Sequence, residues 1–389
     1  MQDMYHSDGN QDVKPDTRTY NVVLYALANS KGDDAPMRVA LLLDQMNGEN
    51  HSVKPDSVSY STAISAFAKH GGSGAVNSTL LLLEELYESD IEGDSSFFSN
   101  LIYCLTRTSP EEAPTAAELI LMDLTKRIEA GLVNVTVNTE IYNALINCWG
   151  KSGNRGSAAR AEEILQEMQD EYDAGNIHVR PDVQTYTAVI DACAKSREAD
   201  ESKRAESVLN RLEEDGLVRP NAHTYTAVIH AYARSDSPSK AKHAQTILRR
   251  MIHDYENGNE EAQPSVVTYN AILNACEYSV GAATEVEDAF RVACDTLDEI
   301  RSCDYLSPDD VTYGTFLGVI AKLMPKSETT NDLIELVFKR CCADGQLGPL
   351  ALKKLGDAAS VSRYRRLLGG VSADNVPAEW TCNVVTNSR

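Results

Sequence analysis

Residues 180–194 read RPDVQTYTAVIDACA, and this stretch decides the fold. Counted from Tyr186 as position 0, apolar residues stand at positions 0, +3, +4 and +7. That spacing marks one face of an α-helix. Asp182 just before the helix is a favourable N-cap, and Pro181 cannot continue a preceding helix. The stretch therefore predicts a capped helix with one buried face.

The same pattern recurs along nearly the whole chain of 389 residues. Other copies, two of them weaker, begin at Lys14, Lys54, Gly93, Val137, Arg219, Gln263 and Ser307. The aromatic residue at position 0, which we call the anchor, is Tyr20, Tyr60, Phe98, Tyr142, Tyr186, Tyr225, Tyr269 and Tyr313. Neighbouring anchors are 38 to 44 residues apart, a period typical of repeat architectures.

A second helix is expected after the polar turn that ends each first helix. It has an alanine-led apolar pattern, as at Ala117–Leu124, Ala161–Met168, Ala205–Leu212 and Ala244–Met251. A helical hairpin of this kind cannot bury its apolar face alone, whereas stacked hairpins share one continuous core. We therefore predict an all-α fold, a right-handed α-solenoid of about eight helix-turn-helix repeats.

The predicted array covers residues 15–343 without an internal domain boundary. Residues 1–14 are expected to be the remnant of a preceding repeat, since Met1–Met4 resemble the end of a second helix. Residues 344–389 have a different pattern and are expected to form C-terminal capping helices and a tail.

Composition and motifs exclude several classes of function. The chain has 36 Lys and Arg against 58 Asp and Glu, a net charge of −22, which argues against binding nucleic acid through net charge alone. It has no apolar run long enough to span a membrane and no visible targeting peptide. Nine Cys without a CxxC pair favour buried, reduced thiols. We found no catalytic or metal-binding motif, and we predict neither catalytic residues, nor a metal, nor a cofactor, nor a small-molecule substrate.

The boundary proline, the [T/S]-Tyr-[N/T/S] motif and the alanine-led second helix together resemble the pentatricopeptide repeat (PPR) family. The period, which averages about 42 residues, is longer than usual for that family. The resemblance implies binding of single-stranded RNA with about one base read per repeat by a few side chains. It also implies a mitochondrial or plastid location, and a role in RNA processing, stability or translation.

The resemblance assigns two base-reading residues to each repeat. The first follows the anchor, at Asn21, Ser61, Ser99, Asn143, Thr187, Thr226 and Asn270. The second follows the boundary proline or its equivalent in the next copy, at Asp56, Asp94, Asn138, Asp182, Asn221, Ser265 and Asp309. By a family-like code these seven pairs imply the sequence U-G-A-U-A-(A/G)-U. Helix capping alone also explains the second set, and the two roles can coexist. The eighth copy has Gly314 after its anchor, and the family-like code assigns no base to glycine.

A basic residue recurs nine positions after the anchor. It is Lys69, Arg107, Lys151, Lys195, Arg234 and Lys322. The resemblance implies contacts to RNA phosphates, while the alternative is a favourable cation at a helix C-terminus. Two residues before the anchor the family carries a small aliphatic residue that sandwiches the base. Here the residues are Arg18, Val58, Ser96, Glu140, Gln184, His223, Val267 and Val311, of which three are aliphatic.

Two other functions were weighed against RNA binding. A helical-repeat scaffold that binds protein partners is the alternative, and it would show apolar pockets on the concave face. An enzyme related to protein-only RNase P would need clustered Asp residues for Mg²⁺. The segment after Gly345 offers only Asp357 and Asp374, so we expect no such catalysis.

Overall fold

The computed structural model describes residues 15–32, 34–48, 53–70, 75–89, 91, 93–108, 110–196, 200–216, 218–370 and 375–384. Over these residues it contains 18 α-helices and no β-strand, so the predicted all-α fold is confirmed. The predicted remnant at residues 1–14 lies outside the described residues. The number of repeats and the handedness stay predictions.

Eight helices carry the anchors, and we call them the first helices. They are α1 (Thr17–Ala28), α3 (Ser57–His70), α5 (Ser95–Thr108), α7 (Thr139–Ser152), α9 (Val183–Lys195), α11 (Ala222–Arg234), α13 (Val266–Glu277) and α15 (Asp310–Leu323). Each is followed by a second helix. These are α2 (Ala35–Asn47), α4 (Ala75–Glu88), α6 (Ala113–Glu129), α8 (Ser157–Asp173), α10 (Glu201–Asp215), α12 (Lys240–Glu256), α14 (Ala283–Ser302) and α16 (Glu328–Ala343).

Two shorter helices follow the last hairpin, α17 (Pro349–Ala358) and α18 (Val361–Leu367). Single 3-10 turns lie at Ile177–Val179, Glu260–Ala262 and Ala378–Trp380. None of the nine cysteines, all of them within the described residues, forms a disulfide bond, and six of them are buried. Burial raises the pKa of the Cys148 thiol to about 11, which keeps it protonated at neutral pH.

The chain divides into two compact units, residues 1–196 and 197–389. The bounds predicted for the repeat array, residues 15–343, stay a prediction. In the first unit, α1, α3, α5, α7 and α9 stack in chain order, each against the next. In the second unit, α11, α13, α15 and α17 stack in the same manner. Within each unit, the second helices pack against those first helices of their own and of the following hairpin that belong to the same unit. Within each unit this is the packing of an α-solenoid.

The stacking buries the anchor face. The anchors are at most 7% exposed, and the residues at position +4 are at most 1% exposed in all eight copies. Anchor hydroxyls reach the ends of second helices; for example, Tyr142 donates to Glu171 over 2.7 Å. Helix α1 differs because no described helix precedes it, and its Val23 is 45% exposed. The equivalent Leu101 in α5 is fully buried.

Helix α17 closes the second unit by lying on α15 where the next first helix would stack. The Asp310 carboxylate of α15 accepts hydrogen bonds from the backbone N–H groups of Gly348 (3.1 Å) and Ala351 (3.0 Å). These contacts satisfy N–H groups at the start of α17 that have no partner within the helix. A Cβ atom on Gly314 would meet Leu350 Cγ at 2.8 Å and the Ala351 nitrogen at 3.1 Å. Glycine at this position therefore allows α17 to approach α15 closely.

We expect Gly314→Ala to lower the free energy of unfolding by about 1–3 kcal/mol, because the added methyl group overpacks the contact with α17. Gly356→Ala on α17 is the matched control. Its added Cβ would meet its nearest neighbour, Tyr364, at 3.8 Å, which is ordinary contact. That variant should be neutral or more stable by up to about 1 kcal/mol. Urea unfolding measures both, and equal stability of the two variants would contradict this packing.

Candidate nucleic-acid interface

The second base-reading residue of each predicted pair, the one that follows the boundary proline or its equivalent, lies at the start of a first helix in every case. Most of them cap the helix through a side-chain oxygen. The Asp182 carboxylate accepts the Thr185 N–H over 2.8 Å, and Asp309 accepts the Thr312 N–H over 2.7 Å. Equivalent bonds are made by Asp56, Asp94, Asn138 and Asn221. The capping role, worth about 1 kcal/mol per helix, is thus present whether or not these residues also read bases.

Three of the predicted pairs are joined directly, and all three combine Asn with Asp. The side-chain amide of Asn21 donates to Asp56 over 3.0 Å. The same bond joins Asn143 to Asp182 over 3.3 Å and Asn270 to Asp309 over 3.1 Å. The amide of one repeat is thus held against the cap of the next one before any ligand binds. Each amide keeps a second N–H, since Asn has two donors.

A hydroxyl group orients two of these amides. Ser59 Oγ donates to Asn21 Oδ1 over 2.6 Å, and Thr312 Oγ1 donates to Asn270 Oδ1 over 2.7 Å. Because each hydroxyl binds the amide oxygen while the Asp carboxylate binds the amide nitrogen, both ends of the amide are fixed. Asn143 differs, since its Oδ1 is buried and has no hydrogen-bond partner in the structure.

The Asp56 carboxylate is stabilised as an anion. Burial opposes its ionisation, but hydrogen bonds from Asn21 and Ser59 outweigh that cost and hold its pKa below the ordinary value. The first reading pair therefore presents a carboxylate that is already fully ionised at neutral pH.

Two first-position residues are less accessible than the others. Thr187 is 6% exposed and Thr226 is 7% exposed, whereas the remaining five are half-buried. The Thr226 hydroxyl also lies 2.9 Å from that of Thr268. Gly314, in the eighth copy, is buried beneath α17. The accessible polar side chains at this position are thus Asn21, Ser61, Ser99, Asn143 and Asn270.

The six predicted phosphate-binding cations are all exposed near the C-termini of first helices. Their surroundings differ. Lys69 donates to the Asn29 side chain of the neighbouring first helix. Lys195 Nζ lies 3.8 Å from an Asp191 oxygen. Lys322 Nζ lies 3.0 Å from Glu277, a carboxylate only 3% exposed, which also binds Lys354 of α17. Lys322 is therefore partly committed to the packing of α17.

Charge is divided between the two kinds of helix. The eight first helices carry seven Lys or Arg residues and four Asp or Glu residues. The eight second helices carry 15 Lys or Arg residues and 29 Asp or Glu residues. The net charge of −22 thus resides mainly outside the first helices. A polyanion would meet repulsion from most second helices and attraction from the first helices.

The predicted base-sandwich position is exposed in all eight copies. Val58, Val267 and Val311 are 55%, 61% and 42% exposed, so these aliphatic side chains are open to a ligand. At about 100° per residue, positions −2 and +9 fall on nearly the same side of a first helix. The exposed side chains and the cations therefore share one stripe, opposite the buried anchor face.

A cleft of about 550 Å³ on this stripe in the first unit was not predicted from sequence. It is lined by residues of α1, α3 and α5, including Ser61, Asp94, Lys69 and Arg107, which were predicted. It also includes Tyr25 and Tyr103, which were missed. Both are at position +5, which is off the predicted buried face. An aromatic residue there in copies one and three was the sequence signal for this cleft.

In the described ranges, no group of three or more His, Cys, Asp or Glu side chains is arranged to hold a metal ion. Of the helices that could be described, none has the length and apolar character needed to cross a bilayer.

A family model matches part of the chain. Residues 99–252 match the family model described as the pentacotripeptide-repeat region of PRORP. No curated protein matches the chain. The crystal structure of pentatricopeptide repeat protein PPR10 with an 18-nt psaJ RNA element is 20% identical, with a TM-score of 0.45 over 93% of this chain and 51% of that one. PPR10 from maize is 18% identical, with a TM-score of 0.35 over 97% and 56%. The chain thus spans about half the length of these proteins.

We expect the stability of the protein to fall on acidification partly through Asp56. A folded-state pKa below that of the unfolded chain, about 3.9, stabilises the fold above that pH, and the contribution is lost as the pH falls through the folded value. Asp56→Asn keeps a capping side chain but cannot titrate, so it should lose less stability between pH 7 and pH 3 than the wild type. Urea unfolding at both pH values measures this difference.

Asp34→Asn is the control for that comparison, because the Asp34 side chain makes no capping hydrogen bond. Its loss of stability should resemble that of the wild type. If Asp56→Asn had the same pH dependence as the wild type, the hydrogen bonds from Asn21 and Ser59 would not hold the carboxylate as described.

Proposed function

We propose that this chain, whose residues 99–252 match a pentatricopeptide-repeat family model and whose motifs indicate the same family, binds single-stranded RNA without catalysing a reaction. The observation that carries the proposal is the stripe on the first helices. Exposed cations lie there near hydrogen-bonding side chains, while most second helices are acidic. Single-stranded RNA is recognised by such a combination of phosphate contacts and contacts to unstacked bases.

We further propose that each accessible pair reads about one base. The three Asn–Asp pairs support this most strongly, because their amides are held in place yet keep a free donor. A preorganised polar group loses less conformational entropy on binding than a mobile one. Under the family-like code these pairs contact uridine at positions one, four and seven of U-G-A-U-A-(A/G)-U.

The biological setting is proposed from the family alone. We propose that the protein acts in a mitochondrion or plastid, in RNA processing, stability or translation. Other proteins are proposed as additional partners, while no membrane or small-molecule partner is proposed.

Binding should depend on sequence and on salt. We expect fluorescence anisotropy to give tighter binding to RNA containing UGAUAAU than to a scrambled RNA or to the DNA equivalent. Six phosphate contacts predict a slope of log K against log salt near about −4, at about −0.7 per contact. Lys151→Ala should make the slope shallower by about 0.7, whereas Lys126→Ala on the second helix α6 should leave it unchanged.

Base reading at the fourth position can be tested by a substitution that should change the preferred base. By the family-like code, Thr with Asp resembles a guanine reader, so Asn143→Thr should shift the preference at the fourth base from U to G. Asn331→Thr on the second helix α16 is the matched control and should keep U. If the wild type shows the predicted salt slope but no base preference, the phosphate contacts would stand and the proposed base-reading pairs would be contradicted.

The second candidate function is a scaffold for protein partners. It is favoured by exposed apolar side chains on the first hairpin, where Val22, Met37 and Leu41 are 60–70% exposed. Exposed apolar surface of this kind marks protein interfaces when it is contiguous. Absence of RNA binding even at low salt would favour the scaffold over the RNA-binding function.

A further inference from the structure

The cleft in the first unit owes its shape to alternating residue size at position +5. In chain order the residues are Tyr25, Ser65 and Tyr103, on α1, α3 and α5. Since α3 stacks between α1 and α5, the small serine lies between two large aromatic residues. All three line the cleft of about 550 Å³. Among the other copies, copy six has the half-buried ring of His230 at this position, but none has a tyrosine, so the pair of tyrosines is confined to this unit.

Both tyrosines are presented to solvent. Tyr25 is 66% exposed and Tyr103 is 47% exposed, although large aromatic residues usually contribute to a core. When a first helix is viewed down its axis, position +5 lies about 20° from position −2 and about 40° from position +9, at about 100° per residue. The two rings therefore lie on the stripe that carries the cations, and they do not form part of the buried anchor face.

Cations surround the rings. Lys69 and Arg107 line the same cleft, and Lys151 Nζ lies 5.3 Å from the centre of the Tyr103 ring. Exposed aromatic rings among cations favour single-stranded nucleic acid, because bases stack on the rings while the cations follow the phosphates. Stacking of this kind tolerates any base, since every base has a π-face.

Among the first three copies, the tyrosines occur in the two that lack an aliphatic residue at the sandwich position. Copies one and three have Arg18 and Ser96 there, whereas copy two has Val58. Copy two in turn has Ser65 at position +5. Each of the three copies thus offers one side chain with an apolar surface for a base, but at different places along the helix.

We propose that Tyr25 and Tyr103 are stacking platforms for two unpaired bases of bound RNA, on either side of the base that faces Ser61 and Asp94. The proposal rests on the RNA-binding function proposed above and adds contacts that are independent of base identity. Next-but-one helices are about 16–20 Å apart, at 8–10 Å per helix pair, so each ring takes its own base.

The test is fluorescence anisotropy with labelled RNA containing UGAUAAU. The Tyr25→Ala/Tyr103→Ala variant should bind this RNA at least about fivefold more weakly for each ring removed, as found for base–aromatic stacks. The same loss is expected with a scrambled RNA, because stacking does not depend on sequence. RNA with abasic sites beneath the two rings should bind the wild type and the alanine variant equally.

Two control variants separate stacking from other effects. Tyr25→Phe/Tyr103→Phe keeps both rings and should bind like the wild type. Tyr305→Ala removes a tyrosine that is 53% exposed and lies in the second unit, between α14 and α15, and it should also bind like the wild type. Because all these side chains are exposed, thermal unfolding should show that the variants remain folded.

The outcomes distinguish this proposal from the one on which it rests. If the wild type binds RNA and the alanine variant binds equally well, the stacking platforms are overturned and the RNA-binding function stands. If the phenylalanine variant loses as much affinity as the alanine variant, the hydroxyl groups make the contact and stacking is overturned. If the wild type binds no RNA at any salt concentration, both proposals are overturned.

Discussion

The structure depends on burial of one helical face that successive first helices share. Anchor residues and the residues at position +4 are buried in every copy, so these positions are constrained to be apolar. A close-packed core tolerates little change in side-chain volume. Within the first helices, variation between repeats is consequently concentrated at the helix starts and on the exposed stripe. Those are the places where residues differ enough to distinguish one ligand from another.

Residues at the helix starts combine two roles. An aspartate such as Asp182 satisfies the first turn of its own helix and also holds Asn143 of the preceding one. The stabilising contact and the candidate recognition contact thus share one carboxylate. Since capping supports the fold regardless of a ligand, the presence of a good cap gives no evidence for recognition. The residue after the anchor is the more informative member of each pair.

Local features could be predicted from sequence, whereas contacts between distant residues could not. The anchors, the buried face and the capping residues follow from spacing alone, and the structure has all of them. By contrast, Gly314 fitted no rule until α17 was seen to lie against it. The commitment of Lys322 to the buried Glu277, and the cleft between Tyr25 and Tyr103, were missed for the same reason. Each depends on side chains brought together by stacking, which residue spacing does not encode.

The bonds between Asn and Asp cross the boundary between neighbouring repeats, and this has a consequence for protein engineering. Replacing one helical hairpin as a block would separate Asn143 from the carboxylate that orients it. A modular exchange should instead cut within the first turn of the first helix, before the residue that follows the anchor. Each amide and the capping residue that it binds in the next repeat then lie in the same block. The natural building block for recombination is therefore offset from the hairpin by about one helical turn.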